Sequence, residues 1–120
     1  MKALTKANED YLEAILMLEQ NHGIVKTCEI AQLLNVSRPG VTKAMNTLKE
    51  AGLVEKESYS AILLTEKGRT QAAEILNRHN KIKTFLIQLG VSPESAEIDC
   101  CKIEHVISEE TFEKIKNFIK

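Results

Sequence analysis

Apolar residues along most of this chain recur at intervals of three and four, the spacing of one face of an α-helix. Near the amino terminus Leu12, Ile15 and Leu16 follow this spacing and predict a helix over residues 8–20. The same rule predicts five further helices, at 27–34, 38–51, 66–89, 93–107 and 109–120. The pattern therefore indicates a mainly α protein.

The predicted helices have residues at their ends that are typical of helix boundaries. Thr27 and Ser37 are side chains of the N-cap type. Pro39 falls in a first turn, where its missing N–H costs nothing. Gly52 and Gly90 follow the third and fourth helices as C-terminal signals.

The third and fourth helices are separated by two short runs, 53–57 and 61–65, that predict a hairpin with its turn at 58–60. Two helices and then a hairpin, in residues 27–65, is the order of a winged helix-turn-helix with a two-stranded wing. We expect a DNA-binding domain at 1–70 and a helical domain at 71–120.

Composition indicates the kind of binding partner and the cellular compartment to expect. The formal net charge of the 120 residues is -1, which does not suggest a protein that coats nucleic acid, yet Arg38, Lys43 and Lys49 make the third helix locally basic. No apolar run approaches the roughly 20 residues that span a bilayer, so we expect a cytoplasmic protein without membrane contact. In that compartment the three cysteines are not expected to form a disulfide framework.

The start of the third helix predicts DNA reading, because the second helix of such a motif lies in the major groove with its N-terminal residues at base edges. Its basic and hydroxyl side chains can donate to bases or phosphates, and no acid occurs before Glu50. The alternative is a protein-binding scaffold whose lysines are only solvated. The predicted DNA contacts are Thr27, Ser37, Arg38, Pro39, Gly40, Thr42, Lys43, Lys56, Tyr59 and Ser60.

A candidate metal-binding motif lies in the helix predicted at 93–107. Cys101, Glu104 and His105 are spaced so that a helix would carry them on one face. Thiolate, carboxylate and imidazole could together hold a divalent cation, although this spacing also arises by chance.

Two other helices carry metal-binding side chains. Asp10 and Glu13 lie one turn apart on the first helix, where they also fit the role of surface acids. His79 lies in the long helix, where it also fits the role of a partly buried structural histidine. Spacing alone leaves both interpretations open.

Five segments carry a resemblance to a known family: Leu4–Ile15, Ile30–Thr42, Leu63–Gly68, Arg78-His79 and Ile103–Ser108. Over essentially its full length the chain resembles the iron- and manganese-dependent repressors, the family of the diphtheria toxin repressor and the manganese transport regulator. The ending Glu-His-x-x-Ser, in the last segment, is quite specific to that family.

The resemblance implies a dimeric repressor with a helical dimerisation domain. It also implies that the affinity of the repressor for DNA depends on bound metal. By position it implies the ligands Asp10, Glu13, His79, Cys101, Glu104 and His105. Asp10 and Glu13 match acids of the manganese branch, whereas Cys101 matches a cysteine of the iron branch. The other three match ligands of both branches.

The chain departs from the iron branch at two positions. Lys83 and Glu97 stand where that branch has a Glu and a His ligand, so its ancillary metal site is in doubt in its usual form. We also expect a short form of the family, without the SH3-like C-terminal domain.

Ligand chemistry predicts which metal would bind. A thiolate favours softer ions such as Fe(II), Co(II), Ni(II) or Zn(II), and carboxylates suit Mn(II), so we favour Fe(II) and place Mn(II) next. We expect a homodimer that binds a palindromic operator. Metal would link the DNA-binding domain to the helical domain and so fix the spacing of the two recognition helices on that operator. Apolar residues after Pro93, including Ile107, Phe112 and Phe118, would supply the dimer interface.

Three alternatives remain. The first is a winged-helix regulator that ignores metal or responds to a small organic ligand. The second is a redox sensor that uses Cys100 and Cys101. The third is a metal hydrolase with Glu104 as base, for which the sequence marks neither cleft nor substrate group, so we predict no catalytic residue and no enzyme.

Overall fold

The computed structural model describes residues 5–56 and 61–119, apart from the side chains of His22 and Lys56. The chain divides into two compact units, Met1–Ala73 and Glu74–Lys120. The mainly α class is confirmed by helices α1 (Lys6–His22), α2 (Thr27–Leu34), α3 (Arg38–Glu50), α4 (Glu66–Gln88), α5 (Pro93–Ile103) and α6 (Glu109–Phe118), with strands β1 (Val25–Lys26), β2 (Val54–Lys56) and β3 (Ala61–Leu64).

The strands form one antiparallel sheet in the order β1-β3-β2. Val25 lies opposite Ile62, and Val54 lies opposite Leu64. The prediction of a two-stranded wing was therefore incomplete, because a strand as short as β1 leaves no alternating pattern in the sequence. Residues 57–60, which include the predicted turn, lie outside the described residues.

The turn between α2 and α3 depends on two residues that suit its backbone. Asn35 takes the left-handed conformation with φ 55°, which asparagine tolerates, and ends α2. The Ser37 side chain then accepts a 3.1 Å hydrogen bond from the Gly40 N–H and begins α3, as predicted. Together they place α3 directly after α2 in a helix-turn-helix.

Two helix ends differ from the prediction. Thr27 is the first residue of α2 rather than its N-cap, a position that Lys26 takes while its N–H donates to Glu29 Oε1 at 2.9 Å. The helix expected to reach residue 107 ends at Ile103, whose carbonyl accepts from the N–H groups of Val106 and Ile107 in a turn before Ser108 caps α6.

The first unit has an aliphatic core that includes fully buried Leu12, Ile15, Ile30 and Leu48. One close backbone approach requires glycine, since a Cβ on Gly68 would lie 1.9 Å from a backbone oxygen of the loop before β2. The predicted DNA-binding region is thus built on a tightly packed apolar interior.

The second unit has a smaller core. Buried Ile82, Cys100 and Phe112 pack with the partly buried Leu86, Ile103 and Ile107. Phe112 was expected at a dimer interface, but it lies within this core, whereas the Phe118 side chain is 75% exposed. Phe112 also stacks beneath the Arg78 guanidinium, 5.1 Å from its ring centre.

Candidate metal centre and DNA interface

One face of α3 packs into the first unit, and the opposite face is the one predicted to contact DNA. Val41, Met45 and Leu48 are buried and hold the helix in the first unit. The opposite face exposes Arg38 and Lys43 to solvent. A helix anchored in this way presents a firm basic surface to a partner.

The other predicted DNA contacts are less uniform in their exposure. Ser37 and Pro39 are exposed, whereas Thr27, Gly40 and Thr42 are half-buried. The predicted wing contacts Tyr59 and Ser60, and the Lys56 side chain, lie outside the described residues. All ten positions stay predictions.

His79, on α4, is the centre of a polar cluster in the second unit. Its side chain is 6% exposed, and its two ring nitrogens face two different carboxylates. Nδ1 lies 3.2 Å from Glu104 Oε2, and Nε2 lies 3.1 Å from Glu97 Oε1. Because a carboxylate at Nε2 favours a proton there, it leaves the Nδ1 lone pair available as a metal donor.

Glu97 is itself held by Lys83, whose Nζ lies 2.9 Å from Glu97 Oε2. The hydrogen bond from Lys83 lowers the pKa of Glu97, and the same bond raises the pKa of Lys83. The two departures from the iron branch therefore pair with each other and place a carboxylate behind His79. The sequence marked these positions as unusual but did not indicate this role.

Glu104, the residue that caps the end of α5, is only 1% exposed. Its two oxygens lie 3.2 Å from His79 Nδ1 and from Nε2 of His105, whose side chain is also buried. Neither oxygen has a hydrogen-bond partner within the described part of the chain. A buried carboxylate without such bonds is costly, and a cation held between it and the ring nitrogens would remove the cost. The donors present therefore fit a metal ion.

The adjacent cysteines on α5 both approach His79. Cys100 Sγ lies 3.6 Å from its Nδ1 and Cys101 Sγ lies 3.7 Å from the same atom. Burial raises the pKa of the Cys100 thiol to about 12, and neighbouring negative groups add to the rise. From the sequence, Cys100 was considered only for the redox alternative and not as a metal ligand, because consecutive helical residues usually face different directions.

A disulfide between Cys100 and Cys101 does not suit this helix. Consecutive Cα atoms are about 3.8 Å apart across a trans peptide, closer than the roughly 4.4 Å at which disulfides begin. The structure thus weakens the disulfide form of the redox alternative and leaves the thiols as candidate ligands.

Asp10 and Glu13 lie on α1, in the first unit. Asp10 is half-buried with Lys6 Nζ 3.3 Å from its carboxylate, and Glu13 is buried at 8% exposure. The burial of Glu13 is unusual for an acid, but the part of these two residues in metal binding stays a prediction. In the second unit the structure brings together His79, Cys101, Glu104 and His105, four of the six ligands that the resemblance implies, and their role as ligands stays a prediction.

A helix-turn-helix beside a sheet, followed by a helical unit with a buried cluster of metal-binding side chains, defines the class of metal-responsive transcriptional regulators. Residues 3–62 match the model of the iron-dependent repressor N-terminal DNA-binding domain. Residues 65–120 match the metal-binding and dimerisation domain of the same repressors. The chain belongs to this iron-dependent repressor family.

Relatives and solved structures are similar to the chain over most of its length. It is 40% identical over 119 residues to an HTH-type transcriptional regulator from Methanocaldococcus jannaschii, covering 98% of this chain and 95% of that protein. It is 37% identical over 110 residues to the transcriptional regulator MntR of Escherichia coli, covering 92% of this chain and 71% of that protein.

Among solved structures, IdeR of T. acidophilum has a TM-score of 0.83 at 27% identity, covering 98% of this chain and 55% of that one. A manganese-dependent transcriptional repressor in complex with manganese also has a TM-score of 0.83, at 28% identity, covering 92% of this chain and 51% of that one. This chain spans about half the length of these two structures. Within the described residues no helix is long and apolar enough to cross a membrane.

Proposed function

We propose that this chain is a homodimeric repressor of metal-homeostasis genes whose affinity for a palindromic operator rises when it binds a divalent metal. The observation that carries the proposal is Glu104, a buried carboxylate without hydrogen bonds from described residues but with ring nitrogens of His79 and His105 3.2 Å away. Family membership supports the DNA-binding and dimerisation parts.

The proposed ligand set is Asp10, Glu13, His79, Cys101, Glu104 and His105. Support for the last four is their proximity in the second unit, and support for Asp10 and Glu13 is the resemblance alone. Bound metal would supply positive charge that neutralises buried Glu104, which would otherwise repel nearby acids.

Among divalent ions we propose Fe(II) first and Mn(II) next. The thiol of Cys101 favours the softer ion, and carboxylates accept either. Glu97 would orient His79 as the carboxylate behind a metal-ligating histidine does, and Lys83 would hold Glu97 in place.

The DNA contacts would come from the exposed start of α3. Arg38 and Lys43 would donate to guanine or phosphate, and Ser37 and Thr42 to bases or phosphates. The remaining proposed contacts are Thr27, Pro39, Gly40, Lys56, Tyr59 and Ser60. By thermodynamic reciprocity, DNA must raise metal affinity by the factor by which metal raises DNA affinity.

An electrophoretic mobility shift assay tests the proposal, with DNA selected from a random duplex library on Fe(II)-loaded protein. We expect a shift with Fe(II) that EDTA abolishes, a weaker response with Mn(II), and no metal response in Glu104→Ala. The matched control is Glu94→Ala, which removes an exposed acid from the first turn of the same helix and should respond as the unmodified chain does. DNA binding that ignored every metal would overturn the proposal.

A further inference from the structure

Two thiols, rather than one, lie beside the imidazole ring of His79, and Cys100 Sγ is also 3.5 Å from Nε2. Cys100 Sγ and Cys101 Sγ lie 3.6 and 3.7 Å from His79 Nδ1. The nitrogen and both sulfurs lie within 4.8 Å of one another, so a single ion is able to reach all three. Cys101 has a place in the ligand set proposed above, but Cys100 has none.

The separation of Cys101 Sγ from Nδ1 is close to that around a tetrahedral ion, whereas Cys100 Sγ, 3.6 Å from Nδ1 and 3.5 Å from Nε2, would have to turn about its χ1 to meet an ion on the Nδ1 lone pair. With bonds of about 2.3 Å to sulfur and about 2.0 Å to nitrogen, tetrahedral angles separate the two donors by about 3.5 Å, and right angles separate them by about 3.1 Å. The observed sulfur–nitrogen distances of 3.6 and 3.7 Å are closer to the tetrahedral value. The 3.2 Å from Nδ1 to Glu104 Oε2 makes this carboxylate the nearest fourth donor.

The surroundings of His79 also favour Nδ1 as the nitrogen that would bind the metal. Glu97 Oε1 lies 3.1 Å from Nε2 and favours the proton on that nitrogen. The Lys83 ammonium fixes Glu97 from the other side, at 2.9 Å. A ligating histidine needs this kind of support for its second nitrogen.

A purely structural role for Cys100 accounts for only part of its environment. Its side chain is fully buried beside Ile82 and Phe112, and its thiol donates to the Glu97 carbonyl oxygen at 3.3 Å. A core thiol explains this burial and this bond. It does not explain why a second thiol and a buried carboxylate also approach the same nitrogen.

We propose that Cys100 Sγ, Cys101 Sγ and His79 Nδ1 form a two-thiolate site for a soft divalent ion, Zn(II), Co(II) or Fe(II), with Glu104 as the fourth donor. The inference rests on the proposed metal-dependent function and narrows it, because two thiolates disfavour Mn(II) more strongly than one does. Each thiol releases its proton to solvent as its metal–sulfur bond forms, with no change in oxidation state.

The direct test counts sulfur ligands in the unmodified chain, which avoids any loss of fold. X-ray absorption fine structure at the zinc edge of the purified, reduced, Zn(II)-loaded full chain should fit two sulfur neighbours at about 2.3 Å. One sulfur, or none, would overturn the two-thiolate site. A chain that bound no Zn(II) at all would likewise overturn the two-thiolate site, whereas the proposed function would fail only if Fe(II) and Mn(II) were not bound either.

Single substitutions then assign the two sulfurs. With Co(II) as the probe, Cys100→Ala and Cys101→Ala should each reduce the near-ultraviolet thiolate-to-cobalt absorption by about half, since each removes one of two thiolates. Cys28→Ala removes the exposed cysteine of α2 and should leave the band unchanged. Circular dichroism confirms that each variant is folded, and Cys100→Ser replaces any alanine variant that is not.

The two results separate the hypotheses. If Cys100→Ala and Cys100→Ser keep the full band while Cys101→Ala abolishes it, Cys100 is a core thiol and only the two-thiolate site fails. If the unmodified chain binds Co(II) without any thiolate band, both cysteines are excluded as ligands, although a metal site of oxygen and nitrogen donors would stand.

Discussion

The start of α3 and the end of α5 carry the two proposed activities, and they differ in where they place polar side chains. On α3, Arg38 and Lys43 are exposed while the apolar face is buried. At the end of α5, Glu104 and Cys100 are buried almost completely. Exposed polar groups cost the fold little, whereas buried ones cost it stability until a ligand satisfies them.

This difference separates the expected effects of substitution. Changes on α3 should weaken DNA binding and leave the stability of the unloaded protein unchanged. Changes at the end of α5 should weaken metal binding and alter the stability of the unloaded protein as well. The largest effects are therefore expected at the end of α5 and the smallest at the start of α3.

The largest effect is expected for Glu104→Gln, which keeps the side-chain volume and removes the buried charge. Metal affinity should fall by more than the roughly 10–100-fold that loss of a supporting group costs, because a donor itself is lost. The metal-free protein should become more stable by about 1–3 kcal/mol, since an unsatisfied buried carboxylate is gone. Calorimetric titration and denaturant unfolding measure the two effects.

Glu94→Gln is the matched control for that variant, since Glu94 is an exposed acid of the same helix. It should change neither quantity. If Glu104→Gln bound metal as tightly as the unmodified chain, or unfolded more easily without metal, the proposed difference between α3 and the end of α5 would be wrong.

The second-largest effect is expected for Glu97, the carboxylate that contacts the Nε2 atom of His79. Glu97→Ala removes the carboxylate 3.1 Å from Nε2 and should weaken metal binding roughly 10–100-fold. Glu97→Gln keeps an acceptor for the Nε2 proton and should recover part of the loss. Equal affinities for the two variants would show that orientation of the ring is not the role of Glu97, and calorimetric titration decides it.

On α3 we expect Arg38→Ala to cost about 1–3 kcal/mol of DNA-binding free energy, the value of a good base contact. The midpoint of thermal unfolding should not move, because the side chain is exposed. Fluorescence anisotropy with the selected duplex measures the first quantity and circular dichroism the second. A destabilised variant with normal DNA affinity would reverse the assignment.

The smallest effect is expected for Ser37→Ala, which removes the side-chain bond to the Gly40 N–H. The free energy of unfolding should fall by about 1 kcal/mol, the usual cost of losing an N-cap. Ser108→Ala, which removes the corresponding cap of α6, offers a comparison in the other unit. A loss at Ser37 above roughly 2 kcal/mol would exceed the usual capping range.

The same contrast explains how much the sequence could predict. The helices, the cap at Ser37 and the basic face of α3 follow from local patterns, and the structure has them. Strand β1 was not predicted because its two residues are too few to show an alternating pattern. Helix α5 was predicted too long because the helical spacing of apolar residues continues to Ile107.

The metal centre was predictable only where spacing or resemblance indicated it. Cys101, Glu104 and His105 are close in sequence, but the pairing of Lys83 with Glu97 joins two helices and has no local signal. The approach of Cys100 to His79 likewise depends on how α4 and α5 pack. Tertiary contacts of this kind decide which polar residues become buried.

The central claim is that metal and DNA binding are coupled, and reciprocity tests it most directly. Metal affinity should be measured by titration of the full chain with and without the selected duplex, and DNA affinity by anisotropy with and without metal. The account predicts that each ligand raises the affinity of the other by the same factor, typically about 5–150-fold. Metal affinity that DNA leaves unchanged would contradict the account.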